Sequence, residues 1–127
     1  MTQPSARSDG PVPAVQSVLV VDDEEDQRAL LATLLQRAGY RVVPAATAEE
    51  ALRLLESMEP GLALIDLLLP GMDGAELSRQ IRHRYPGCPI VVMSVLDVDS
   101  YPRADAVLPK PFSRSQLTDV LTRLLPR

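Results

Sequence analysis

The chain is expected to fold as an α/β domain with an open parallel sheet covered by helices on both faces. Three observations carry that expectation. Short apolar runs of strand length recur: Val18-Leu19-Val20-Val21, Leu62-Ala63-Leu64-Ile65 and Ile90-Val91-Val92-Met93. Stretches with apolar residues at helical spacing lie between them, which is the βα alternation of a parallel sheet. Each run stops abruptly at a polar residue, at Asp22, Asp66 and Ser94. In an open parallel sheet the loops after the strands share one edge, and ligands bind there.

Residues 1–16 are rich in Pro, Ser and small residues without apolar periodicity, and are expected to be a disordered tail. Val18–Val21 is the first strand, apolar throughout because both of its faces are covered. Leu30, Leu31, Leu34, Leu35 and Ala38 mark a helix that stops at Gly39. Residues 41–45 form a weaker strand whose Pro44 predicts an edge position. Thr47 and Glu50 are spaced as a capping box, opening a helix with Ala51, Leu52, Leu55 and Met58 on its apolar face, ended by Pro60-Gly61. Residues 62–66 are the third strand, and Leu69-Pro70-Gly71-Met72-Asp73-Gly74 is a turn-rich loop. Leu77 and Ile81 mark a third helix, ended by Pro86-Gly87. Residues 90–94 and 106–108 are the last two strands. Between Ser94 and Ala106 the chain is too short for a full crossover helix and contains Pro102, so at most one helical turn is expected. Ser113 and Gln116 form a second capping box before Leu117, Val120, Leu121, Leu124 and Leu125.

The 127 residues suffice for one domain, expected over 17–127. Aromatics make up 3%, so the core must be aliphatic. The net charge of −4 argues against a nucleic-acid surface. No apolar stretch approaches the ~20 residues of a membrane span, and the N-terminus lacks the order of a secretory signal. The single cysteine, Cys88, leaves no internal disulfide and suits a reducing cytoplasm, the expected location.

The residues at the strand ends could do phosphoryl chemistry. A carboxylate can attack phosphorus, and a magnesium ion held by carboxylates offsets the charge. A lysine ammonium and a hydroxyl can engage the remaining phosphoryl oxygens. Asp22-Asp23, Asp66, Ser94 and Lys110 supply these parts in chain order. An isolated Asp at such a place is often only a turn or helix-start residue.

The segments Val-Leu-Val-Val-Asp22-Asp23-Glu24-Glu25, Leu-Ile-Asp66-Leu-Leu-Leu-Pro70-Gly71-Met72-Asp73-Gly74, Val-Met-Ser94 and Leu-Pro-Lys110-Pro111-Phe112 together resemble the receiver domain of two-component response regulators, from about Ser17 to Leu125. The resemblance implies a flavodoxin-like, doubly wound five-stranded sheet of order 2-1-3-4-5, here with a shortened or missing fourth helix. It implies Asp66 as the phosphorylated residue. It also implies magnesium held by Asp23, Asp66 and the backbone carbonyl of Leu68, with Asp22 acting through a metal-bound water. Ser94 and Lys110 would stabilise the phosphoryl group, and the bond before Pro111 would be cis. The implied partners are a histidine kinase or phosphotransfer protein as donor and a downstream protein as target. The chain would be a switch rather than an enzyme for other substrates.

Some positions depart from the family pattern. Val95 replaces a small residue and is expected to narrow access to Asp66. Val107 replaces an aromatic that changes rotamer on phosphorylation, which puts the usual output face in question. Leu68 and Leu96, apolar where water would approach, imply a long-lived phosphoryl form. Tyr101 either stands in for the missing aromatic or packs against aliphatics. His83 is expected to be a solvated helix residue. Leu67, Leu68 and Leu69 are either packing or part of a partner contact. Glu24, Glu25 and Asp26 favour a helix start without metal. Two other functions stay open: a phosphorylation-independent interaction module, and a small magnesium-dependent aspartyl phosphohydrolase, for which the chain has no spare sequence to form a cap.

Overall fold

A computed structural model describes residues 16–95 and 104–125. Five parallel strands form one sheet: β1 (Ser17–Val21), β2 (Arg41–Ala45), β3 (Leu62–Asp66), β4 (Ile90–Ser94) and β5 (Ala106–Pro109). Their order is β2-β1-β3-β4-β5, the flavodoxin-like order expected. Among the described residues there are four helices, α1 (Glu25–Arg37), α2 (Ala48–Leu54), α3 (Gly74–Arg84) and α4 (Arg114–Leu124). The segment expected to hold at most one helical turn, with Leu96 and Tyr101, falls in 96–103, outside the described residues, as does the tail up to residue 15.

The continuous apolar runs follow from a sheet covered on both faces. Side chains alternate along each strand. Val18, Val20, Leu62, Leu64, Val91 and Met93 pack with Leu31 and Leu35 of α1 and Leu117, Val120 and Leu121 of α4. The intervening Leu19, Val21, Ala63, Ile65, Ile90 and Val92 pack with Ala48 and Ala51 of α2 and Leu77 and Ile81 of α3. Two aliphatic cores therefore sandwich the sheet, and they hold its central strands in fixed register: Val21 opposite Ile65, Asp66 opposite Met93, Ser94 opposite Pro109. β2 lies at the edge, as Pro44 predicts.

Helix ends show the local chemistry. α1 closes with Gly39 at φ 97°, where the N–H groups of Gly39 and Tyr40 donate to Gln36 and Leu35 carbonyls. The Ser113–Gln116 capping box is complete in both directions. The Thr47 box is offset: the Thr47 hydroxyl accepts from Glu50 N–H, but Glu50 Oε1 accepts from Ala46 N–H at 2.7 Å rather than from the cap itself. α2 also ends at Leu54, short of Pro60-Gly61. Its last turn tightens into bonds from Glu56 to Arg53 and Ser57 to Leu54, and the Tyr85 hydroxyl donates to the Leu55 carbonyl at 2.7 Å. A helix end satisfied in this way does not need to continue.

Cys88 is buried beside β4. Burial, then the charges of Asp105 and Glu59, push its thiol up to about 12. At pH 8 the thiolate, the reactive form, is a fraction of about 10⁻⁴. Labelling of the native protein with a thiol-disulfide reagent at pH 8 is expected to be at least ~100-fold slower than after unfolding in urea. Equal rates would contradict the burial of this thiol.

Candidate functional site

Asp22 follows β1 directly. Its N–H donates to the Ala45 carbonyl at 3.1 Å, extending the β1–β2 ladder by one bond and carrying the carboxylate to the sheet edge. There the side chain is fully buried. Asp22 Oδ1 accepts from Glu24 N–H at 3.0 Å, a turn that bends the chain into α1. Asp23 is left exposed.

Asp66 is the last residue of β3 and is nearly buried. Leu67 N–H donates to the Met93 carbonyl at 3.0 Å, so the strand stays paired past the carboxylate. Asp66 Oδ1 accepts from Leu68 N–H at 2.9 Å. The next helix presses close. A Cβ added at Gly74 would stand 2.7 Å from Leu67 Cα and 2.9 Å from the Asp66 carbonyl carbon. Only glycine lets α3 begin against the backbone that carries Asp66.

Lys110 comes from the other side of the sheet. Its N–H donates to the Ser94 carbonyl at 2.8 Å, and the Lys110–Pro111 bond is cis, as expected. Lys110 Nζ lies 2.9 Å from Asp66 Oδ2 and 3.0 Å from Asp22 Oδ2. Burial acts against the ammonium's charge. The hydrogen bonds and negative charges of Asp66 and Asp22 outweigh it and raise the lysine above its ordinary 10.5. The stability from this pairing is complete below 10.5 and is lost as pH rises through the higher folded-state value.

Carboxylate oxygens of Asp22, Asp23 and Asp66 lie within 4.8 Å of one another. Three carboxylates against one ammonium leave negative charge in excess. A set made only of oxygen donors suits a hard divalent cation such as magnesium. The three carboxylates and Lys110 thus come together as expected. Ser94 is fully buried at the end of β4, beside the strand of Asp66. Of the three leucines after Asp66, Leu67 and Leu69 pack into the core and Leu68 is 50% exposed. Val95 is 68% exposed and lines a cavity of about 520 Å³ with Leu30, Leu34, Lys110 and Phe112. Val107 is half-buried against the α2–α3 core. His83 is exposed.

Three residues to which the sequence reading assigns no role at the site also shape it. Gly74 enters the sequence reading only within the turn-rich loop and the segment that carries the resemblance. Glu49 of α2 accepts from Met72 N–H at 3.2 Å, tethering the loop after Asp66. Arg28, half-buried on α1, donates to the Asp22 carbonyl at 2.7 Å. No turn or cap pattern marks the last two.

Comparison with known proteins bears on the family and the fold. The family model of the response regulator receiver domain matches residues 18–122. The alkaline phosphatase synthesis transcriptional regulatory protein PhoP of Bacillus subtilis is 34% identical over 119 residues, covering 88% of this chain and 49% of the relative. The chain therefore spans about half the length of that relative. The response regulator TrrA of Thermotoga maritima, solved in complex with Mg(2+)-BeF, superposes with a TM-score of 0.78 at 32% identity, covering 87% of this chain and 100% of that one. The chemotaxis protein CheY4 of Vibrio cholerae gives 0.81 at 30% identity, covering 88% and 100%.

Two substitutions test the construction of the site. Gly74→Ala is expected to destabilise the fold by about 2–3 kcal/mol in urea unfolding, because backbone atoms must move. A change within 0.5 kcal/mol, roughly the range of a neutral surface substitution, would contradict the close approach. Lys110→Met leaves two carboxylates without their counter-charge and is expected to cost about 1–3 kcal/mol without added metal. Magnesium is expected to restore more stability to this variant than to wild type. The same metal response in both would show that Lys110 does not offset the cluster's charge.

Proposed function

Because the chain belongs to the response regulator receiver domain family, we propose that Asp66 is its phosphoryl acceptor and that magnesium binds beside it. The chain would act as a phosphorylation-controlled switch. The observation that carries the reading is the pairing of one lysine with Asp66 and Asp22 while Asp23 stands within the same cluster.

In this reading Asp22, Asp23 and Asp66 hold the ion, with Asp22 through a water and the Leu68 carbonyl as a further ligand. The ion would neutralise charge on the phosphoryl oxygens as it transfers. An Asp66 carboxylate oxygen forms the bond to phosphorus. The bond from phosphorus to the donor's nitrogen or oxygen breaks, and its electron pair leaves with the donor. Lys110, already 2.9 Å from Asp66, follows the new charge on the phosphoryl group. The Ser94 hydroxyl would bond another of its oxygens. Leu68 N–H, bonded to Asp66 Oδ1, orients the carboxylate.

A histidine kinase or phosphotransfer protein is the proposed donor. The apolar cavity between α1 and the start of α4 supports a protein contact beside Lys110, since Leu30 at its rim is 54% exposed. The downstream partner would be a protein contacted by surface.

The test is mass spectrometry after incubation with acetyl phosphate and magnesium. Wild type is expected to gain one phosphoryl group, and Asp66→Asn to label at least ~100-fold less. Asp23→Asn is expected to weaken magnesium binding about tenfold or more, and Asp22→Asn less. Magnesium at 100 times its dissociation constant should add about 2.7 kcal/mol of stability. Undiminished labelling of Asp66→Asn would refute the acceptor. A wild type that never labels would favour the phosphorylation-independent module, and rapid turnover of a generic phosphate ester would favour the phosphohydrolase.

A further inference from the structure

Arg28 is a charged side chain that the phosphoryl chemistry does not use, yet its guanidinium is committed to the acidic loop. Nη1 donates to the Asp22 carbonyl at 2.7 Å. The Asp22–Asp23 segment is thereby held at four points. Ala45 accepts from Asp22 N–H, Glu24 N–H donates to Asp22 Oδ1, Lys110 pairs with Asp22 Oδ2, and Arg28 takes the carbonyl. The first three fix the strand end and the Asp22 side chain. Of these four, only the Arg28 bond acts on the carbonyl of the peptide that links Asp22 to Asp23. The orientation of that peptide plane decides where the Asp23 carboxylate starts from. Arg28 is itself anchored, because its N–H donates to the Glu24 carbonyl at 3.0 Å in the first turn of α1.

We propose that Arg28 is a positioning residue that fixes the Asp22–Asp23 peptide and so preorganises the exposed carboxylate of Asp23 for magnesium. The proposal rests on the reading of Asp23 as a metal ligand. Two effects of Arg28 oppose each other. Its charge repels a cation, and its hydrogen bond removes the conformational cost of ordering the loop when the cation arrives. Water screens the repulsion at this partly exposed edge. The 2.7 Å bond to a carbonyl is a charge-assisted contact. Ordering therefore outweighs repulsion, and losing Arg28 should weaken metal binding although a positive charge has been removed.

The sign of that change is the test. Magnesium affinity is measured by calorimetry in wild type, Arg28→Met, Arg28→Lys and Asp23→Asn, and amide hydrogen exchange is followed without metal. Arg28→Met is expected to bind magnesium about 5–10-fold more weakly, and Arg28→Lys, which keeps a donor at similar reach, to recover most of the loss. Without metal, the Glu24 amide in Arg28→Met is expected to exchange faster while α4 amides keep their wild-type protection, which separates local ordering from global destabilisation. Equal or tighter binding by Arg28→Met would overturn the proposal, as would an unchanged Glu24 amide or an Arg28→Lys as weak as Arg28→Met. If wild type and Asp23→Asn bind magnesium alike, the metal reading of Asp23 is what fails, and this proposal falls with it.

Discussion

The lysine that bridges two carboxylates at the sheet edge is the contact on which the site depends. Asp22 is fully buried and Asp66 nearly so. Two such groups side by side would repel strongly in a low-dielectric setting. Lys110 contacts both within 3.0 Å, and its own charge is favoured by them. The bridge joins the ends of β1, β3 and β5, which no direct side-chain contact between neighbouring strands could do. It offsets the carboxylates only in part, since Asp23 adds a third negative group at the rim. The remaining negative charge gives a divalent cation a reason to bind there.

The bridge is possible because the two cores hold the strands in register. A slip of one residue would turn Val18 and Val20 toward the α2–α3 face and move Asp22 with them. The alternation of packed side chains on β1, β3 and β4 makes that slip costly on both faces at once. Burial far from the chemistry thus specifies where the polar atoms stand. Gly74 adds a local constraint, letting α3 start against the Asp66–Leu67 backbone.

Strands and acidic groups were legible because their causes are local and periodic. Buried strands read as unbroken apolar runs, so residues 62–66 and 90–94 match the structure residue for residue. The end of α2 was not legible. It depends on the Tyr85 hydroxyl reaching Leu55, thirty positions away in sequence. The Thr47 box was half legible: the spacing predicts the Thr47–Glu50 bond, but which backbone N–H the Glu50 side chain meets is decided by the turn before the helix. Arg28 and Glu49 escaped for a related reason. Each donates to or accepts from a backbone group in a loop, a contact that leaves no pattern in residue types.

The surroundings of the charged cluster complete the physical picture. The large hydrophobic side chains left exposed among the described residues are Leu30, Leu68 and Val95. Leu68 is two residues from Asp66 and Val95 follows Ser94, while Leu30 shares a cavity with Val95 and Lys110. The fold gains nothing in stability from leaving these side chains in water. Leu30 and Val95 together line the cavity beside Lys110, so the surroundings of the lysine are apolar as well as charged. Covering them would also remove water from around Lys110 and Asp66, which strengthens every charge interaction in the cluster. An apolar contact at this rim would thus act on the charges through the dielectric, without adding a polar group to the site.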